Sequence, residues 1–230
     1  MAVLHNLYPD MKLAYVFFTI SLKQYIKQLF NETFLKICPF REPNYDNLFF
    51  FHGWGSRNTP GFYSEICNAA GIQSESLSSS YDSYDRKSFD DVCENALKQI
   101  DARLGMFDCV FIDEAQDFSL SFFKLARKSL TIGGSITYAY DELQTLKTTS
   151  GMPTPREIFG SATVKSVNLD RCYRTPNEIL ITAHAIGMGI YKENDLDSPR
   201  LFNIPEDISV WEAIGYKSKN KIEYGKEIEL

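Results

Sequence analysis

The sequence predicts an α/β protein built on a mainly parallel sheet with helices on both faces. Three observations carry this expectation. Short aromatic and β-branched runs alternate along the chain with segments whose apolar residues recur at helical spacing. Several of those runs are apolar almost without interruption, the pattern of strands covered on both faces. The chain has 230 residues, 44% of them hydrophobic, which is enough to bury a core without disulfide or metal support.

Taken in order, Lys12–Ile20 (KLAYVFFTI) is predicted as a buried strand. In Ser21–Phe34, Leu22, Tyr25, Ile26, Leu29 and Phe30 recur at helical spacing, with Ser21 as the expected N-cap. Asn47–Phe51 (NLFFF) is a second strand, closing into the turn-rich stretch HGWGSRNTPG. Gly61–Ala70 is a short helix, and the serine-rich Gly71–Tyr84 a polar loop. Phe89–Leu104 is an amphipathic helix with Val92, Ala96, Leu97 and Ile100 on one side. Asp108–Ile112 (DCVFI) is a third strand, Phe118–Ser129 a helix, and Ser135–Tyr140 (SITYAY) a fourth strand. After the loop KTTSGMPTPRE come a strand at Ser166–Leu169 and a helix from Pro176 to Gly187, with Pro in its first turn and Gly at its end. Trp211–Tyr216 and Lys221–Leu230 are strand material split by turns, and no internal repeat is visible.

Composition excludes several classes. The profile, with 14% aromatic and 23% charged residues, is neither collagenous nor disordered. The longest apolar runs, Leu13–Ile20 and Leu48–Phe51, fall well short of the ~20 residues that a membrane-crossing helix needs. MAVLHNLYPD lacks the basic start and long apolar stretch of a secretory signal. The five cysteines form no Cys-x-x-Cys pair, so free thiols in a reducing, cytoplasmic setting are expected rather than a zinc or redox motif. Net charge is −6. Between Glu75 and Asp117 stand eleven acids and four bases, so the acidity belongs to one segment and the remainder is nearly neutral. Global charge therefore says little about partners.

In open parallel sheets, ligands bind beyond the carboxyl ends of the strands. Directly after DCVFI comes Asp113-Glu114-Ala115-Gln116-Asp117. A strand end holds its side chains rigidly at the rim of the sheet. A first carboxylate there can hold Mg²⁺, and a second can orient and deprotonate a water for attack on a phosphate. Acids at a helix N-terminus, favoured by the helix dipole, are the structural alternative.

The string DEAQD resembles motif II of superfamily 1 helicases of the UvrD/Rep type, and further strings follow in that family's order. Tyr140-Asp141-Glu142-Leu143-Gln144-Thr145-Leu146 resembles motif III, whose glutamine senses the γ-phosphate. Asn168-Leu169-Asp170-Arg171-Cys172-Tyr173-Arg174-Thr175-Pro176 resembles motif IV, whose Tyr stacks near adenine and whose Arg reaches the γ-phosphate. Val16-Phe17-Phe18-Thr19-Ile20-Ser21 resembles motif Ia, where an aromatic and a Thr meet single-stranded DNA. Phe51-His52-Gly53-Trp54-Gly55 stands where motif Ib would. The resemblance implies Glu114, Gln144 and Arg174 as catalytic, Asp113 as the metal ligand, and Asp113, Gln116 and Tyr173 as cofactor contacts. It implies Phe18, Thr19, His52 and Trp54 as nucleic-acid contacts. Core packing is the competing role for Phe17, and in part for Phe18. His184 reads as an ordinary helix residue.

The resemblance runs from about Lys12 to Ile186 and lacks the family's phosphate-binding loop, G-x-x-x-x-G-K-[ST]. The only Gly-Lys pair is Gly225-Lys226, with Asn220 where the first Gly should stand. No counterparts of motifs V and VI follow. The implied fold is an incomplete RecA-like sheet over residues 1–163, without its phosphate-loop strand, and the beginning of a second RecA-like domain over 164–230. The implied function is part of an ATP- and Mg²⁺-dependent helicase moving on single-stranded DNA, or RNA, and inactive alone. A separate chain or upstream segment would supply the missing loop. Two other readings stand beside it: a nucleic-acid-binding or interaction module that has lost catalysis, and, more weakly, a Mg²⁺-dependent nuclease.

Overall fold

The computed structural model describes residues 1–55, 59–75, 88–141, 153–160, 164–167, 179 and 182–183. The chain divides into two compact units, Met1–Ala162 and Thr163–Leu230, and the architecture below is that of the first.

Four strands, β1 (Leu13–Phe17), β2 (Leu48–His52), β3 (Phe107–Ile112) and β4 (Leu130–Tyr138), form one sheet in the order β2-β1-β3-β4. Every neighbouring pair is parallel. The helices are α1 (Ala2–Leu7), α2 (Lys23–Ile37), α3 (Phe62–Ala70), α4 (Phe89–Gln99), α5 (Leu120–Ser129) and α6 (Pro155–Phe159). The protein is thus α/β with a four-stranded, all-parallel sheet flanked by helices.

The strand pleat sorts side chains onto two cores. Ala14, Val16, Phe51, Val110 and Ile112 join Phe62 and Ile66 of α3, Val92 and Ala96 of α4, Phe122 and Leu125 of α5, and Ile158 of α6. The alternate residues Leu13, Phe17, Leu48, Phe50 and Cys109 join Ala2 of α1 and Phe30 and Phe34 of α2. The central strands are therefore apolar on both faces, which explains their unbroken apolar runs. At the sheet edge, β4 reads LTIGGSITY, and Ser135 and Thr137 are exposed. Its ladder skips from Phe107↔Leu130 to Cys109↔Ser135, so Thr131–Gly134 bulges out with Gly133 at φ +83° and Ile132 96% exposed.

Boundaries differ from the sequence expectation where local chemistry intervenes. The strand over Lys12–Ile20 stops at Phe17, and a 3₁₀ turn at Ile20–Leu22 follows. Helix α2 consequently starts at Lys23 with Leu22 at its N-cap, so Ser21 does not cap it. The amphipathic helix after Ser88 ends at Gln99 rather than Leu104, and β4 begins at Leu130 rather than Ser135. Helices α1 and α6 fall in stretches with no helical expectation. Of the strand expected at Ser166–Leu169, the described residues 166–167 lie in no strand, and of the helix expected from Pro176 to Gly187, the described residues 179 and 182–183 are helical. The strand material expected at Trp211–Tyr216 and Lys221–Leu230 lies outside the described residues.

Candidate functional site at the carboxyl edge of the sheet

Because the four strands run the same way, the residues that follow them share one rim. Phe18 and Thr19 follow β1, His52 ends β2 with Trp54 after it, Asp113 and Glu114 follow β3, and Tyr140 and Asp141 follow β4.

Asp113 is fixed by its neighbours. Its N–H donates to Val16 O across the sheet at 2.9 Å. Its carboxylate accepts from Tyr15 Oη at 2.8 Å through Oδ2 and from the Glu114 N–H at 3.1 Å through Oδ1. Burial, then the charge of Asp113, pushes the Tyr15 phenol well above its ordinary range, so Tyr15 stays a donor at any ordinary pH. Glu114 is exposed and sits at φ +48°, ψ +49°. Among the described residues it is the one non-glycine with positive φ. That turn swings the chain out of β3 so that the Ala115 N–H reaches Ala139 O at 2.8 Å.

Gln116 is buried and serves both sides of the rim. Its Nε2 donates to Glu114 Oε2 at 2.6 Å, and its Oε1 accepts from the Asp141 N–H at 3.1 Å. One side chain thus ties the second carboxylate to the segment leaving β4. Buried polar side chains need such partners, and this one satisfies both ends of its amide.

The pleat separates the two phenylalanines after Val16. Phe17 is 2% exposed, whereas Phe18 is 45% exposed. Phe18 meets Phe118 edge-on at 5.7 Å between ring centroids and lies 6.4 Å from His52. Thr19 is exposed beside it. His52 Nδ1 accepts the Gly55 N–H at 3.1 Å, and burial lowers its pKa, so its imidazole is held neutral. Trp54 stacks on Phe89 at 4.9 Å and donates its indole N–H to Glu75 O at 2.9 Å, which engages one ring face and its polar edge within the protein.

The structure therefore brings Asp113, Glu114 and Gln116 together, and Phe18, Thr19 and His52 along the same rim. Gln144, Tyr173 and Arg174 lie outside the described residues. Two participants escaped the sequence reading. Tyr15 is signalled only as a hydroxyl inside an apolar strand, a group that seeks a polar partner when covered. Phe118, buried behind Phe18, lies so close to Gly53 that a Cβ there would stand 2.6 Å from its ring.

Each Asp113 oxygen accepts one hydrogen bond and keeps a free lone pair, and the Glu114 carboxylate is exposed. This donor set fits a Mg²⁺ held by one or two carboxylates plus water, the usual protein contribution for this ion. Among the described residues no group of three or more His, Cys, Asp or Glu is placed to hold a metal ion. The sequence carries no glycine-rich phosphate-loop string G-x-x-x-x-G-K-[ST].

Fold and rim together define an α/β protein with an acidic, aromatic-flanked site on the carboxyl edge of a parallel sheet. Comparison with protein-family models, curated proteins and solved structures finds no match. No described helix is long and apolar enough to cross a membrane.

Proposed function

We propose that this chain carries the acidic rim of a RecA-like, ATP-dependent motor of the UvrD/Rep helicase type, working on single-stranded DNA. The observation that supports this reading best is the Gln116 bridge. A glutamine that holds Glu114 and the main chain of Asp141 at once couples the hydrolytic carboxylate to the segment carrying Gln144. A purely structural acidic turn has no need of that link.

In this reading, a bound Mg²⁺ would supply charge neutralisation at phosphate oxygens, with Asp113 as its protein ligand. Tyr15 and the Glu114 N–H orient the Asp113 carboxylate. Glu114 accepts the proton of a water, and Gln116 fixes the direction of that carboxylate. Gln144, Tyr173 and Arg174 are proposed for γ-phosphate sensing, adenine stacking and phosphate charge. Phe18, Thr19 and His52, with Trp54 beside them, are proposed as the strand contact, where an exposed aromatic accepts any base face. A phosphate loop from a separate chain or upstream segment completes the ATP site.

Manganese, a spin-active substitute for Mg²⁺, gives the direct test. The purified chain should bind Mn²⁺ in an electron paramagnetic resonance titration, and Asp113→Asn should lose at least tenfold in affinity. Undiminished Mn²⁺ binding in that variant would sink the metal assignment. The chain alone should not hydrolyse ATP. Hydrolysis that disappears in Glu114→Gln would overturn the need for a supplied phosphate loop.

The exposure of Phe18 beside a neutral His52 equally favours the second reading, a nucleic-acid-binding module without catalysis. Single-stranded DNA binding by a chain whose Asp113 takes no Mn²⁺ would select it.

A further inference from the structure

A groove of about 730 Å³ opens between α4 and α5, away from the rim. It is lined by Lys98, Arg103, Lys124, Arg127 and Lys128, with Glu94 the one acid among its described lining residues. This local excess of four positive charges stands in a chain of net charge −6. Lys98 and Arg103 precede β3, and Lys128 precedes β4, so the bases gather toward the amino ends of the strands, opposite the acidic rim.

Helix dipoles account for part of the cluster. Lys98 lies in the last turn of α4, and Arg127 and Lys128 in the last turn of α5. They do not account for Lys124, further up α5, or for Arg103, in the loop after α4. Three heads are held in place without being neutralised: Arg103 donates to Thr131 O at 3.2 Å, Arg127 to Ile158 O at 2.9 Å and Lys128 to Asp101 O at 2.8 Å. Nearby Glu157, which feels the charge of Lys124, directs its carboxylate to the N–H and hydroxyl of Thr154. Each tethered guanidinium keeps further N–H groups for an incoming anion.

We propose that this groove binds the phosphodiester backbone of a nucleic acid, independently of sequence and separately from the rim. Pre-positioned guanidinium forks match phosphate oxygens. Among the described lining residues there is no aromatic side chain for base stacking, so the contacts fall on phosphates. An acidic polypeptide would need apolar anchor pockets, and the described lining residues include one aliphatic side chain, Leu97. The proposal does not rest on the helicase reading.

Fluorescence anisotropy with labelled dT20, titrated between 50 and 200 mM KCl, tests it. If about four phosphates are neutralised, the slope of log affinity against log salt is about −3. Lys98→Gln/Lys124→Gln removes two charges from side chains that make no hydrogen bond with the described residues, and should weaken that dependence by about 1.4. Lys98→Glu/Lys124→Glu should lose at least tenfold in affinity at 50 mM, with an unchanged circular-dichroism melt. Phe18→Ala, at the rim, should leave the slope unchanged, which keeps failure of the groove distinguishable from failure of the rim. A slope unmoved by the glutamine pair, or no dT20 binding at 50 mM, overturns the proposal. So does displacement of dT20 by poly-glutamate as effectively, charge for charge, as by unlabelled dT20.

Discussion

Glu114 stands in a backbone conformation that costs an L-residue about 1–2 kcal/mol. Strain of this kind collects where a side chain must be aimed. Glu114→Gly and Glu114→Ala both remove the carboxylate, and only glycine relieves the backbone. Glu114→Gly should therefore be the more stable of the two by about 1 kcal/mol in urea denaturation. His5 and His52 make a second residue-scale prediction. His5 is buried, with ring centroids 6.2 Å from Phe30 and 5.6 Å from Phe34, and its Nε2 accepts the Asn44 N–H at 3.0 Å. Burial, reinforced by Arg41, lowers its pKa, and burial does the same for His52. Both histidines accept a backbone N–H that protonation would oppose. The unfolded chain binds protons more readily, so this stability is complete above the ordinary histidine pKa of about 6.5 and declines as pH falls below it. The urea midpoint should drop between pH 7.5 and 5.5, and His5→Phe should reduce the drop. A drop of the same size in that variant would clear His5 of the effect.

At the scale of elements, the crossing between β2 and α3 is the tightest. A Cβ on Gly61 would stand 2.1 Å from the Gly55 nitrogen, a contact between two main chains with no side chain to yield. Gly61→Ala should therefore destabilise by roughly 2 kcal/mol or more in thermal melts. Helix α4 depends on its capping box, in which Ser88 Oγ accepts the Asp91 N–H and Asp91 accepts the Ser88 N–H at 2.8 Å. Ser88→Ala should cost about 1 kcal/mol. Such features also mark what sequence could tell. Strands β1, β2 and β3 were legible because burial on both faces leaves an unbroken apolar run. Helix α1 was not, because six residues carry too few turns for a period, and what holds it is packing of Ala2 and His5 on α2. Asp113 and Glu114 were legible because they end a strand. The Tyr15 bond to Asp113 was not, because it joins residues 98 apart.

Across the described residues of the first unit, charge is organised by position. Acids cluster where the parallel strands end, and bases cluster where β3 and β4 begin. The net of −6 conceals both. The acidic stretch from Glu75 to Asp117 was visible in the sequence, but the basic groove was not, since Lys98 and Arg103 lie inside that same stretch. Folding draws them against Lys124, Arg127 and Lys128.

The strand order has a kinetic consequence as well. No neighbouring pair in this sheet is a hairpin, and Lys12 bonds Asp108 across 96 intervening steps of chain. Closing loops of that size must precede the contacts that reward it, which places the folding rate in the slow range of non-local topologies. During synthesis β1 and β2 can pair soon after they emerge, while the other edge of β1 waits for β3. Until β3 arrives, an apolar, half-paired strand is open to any extended chain nearby.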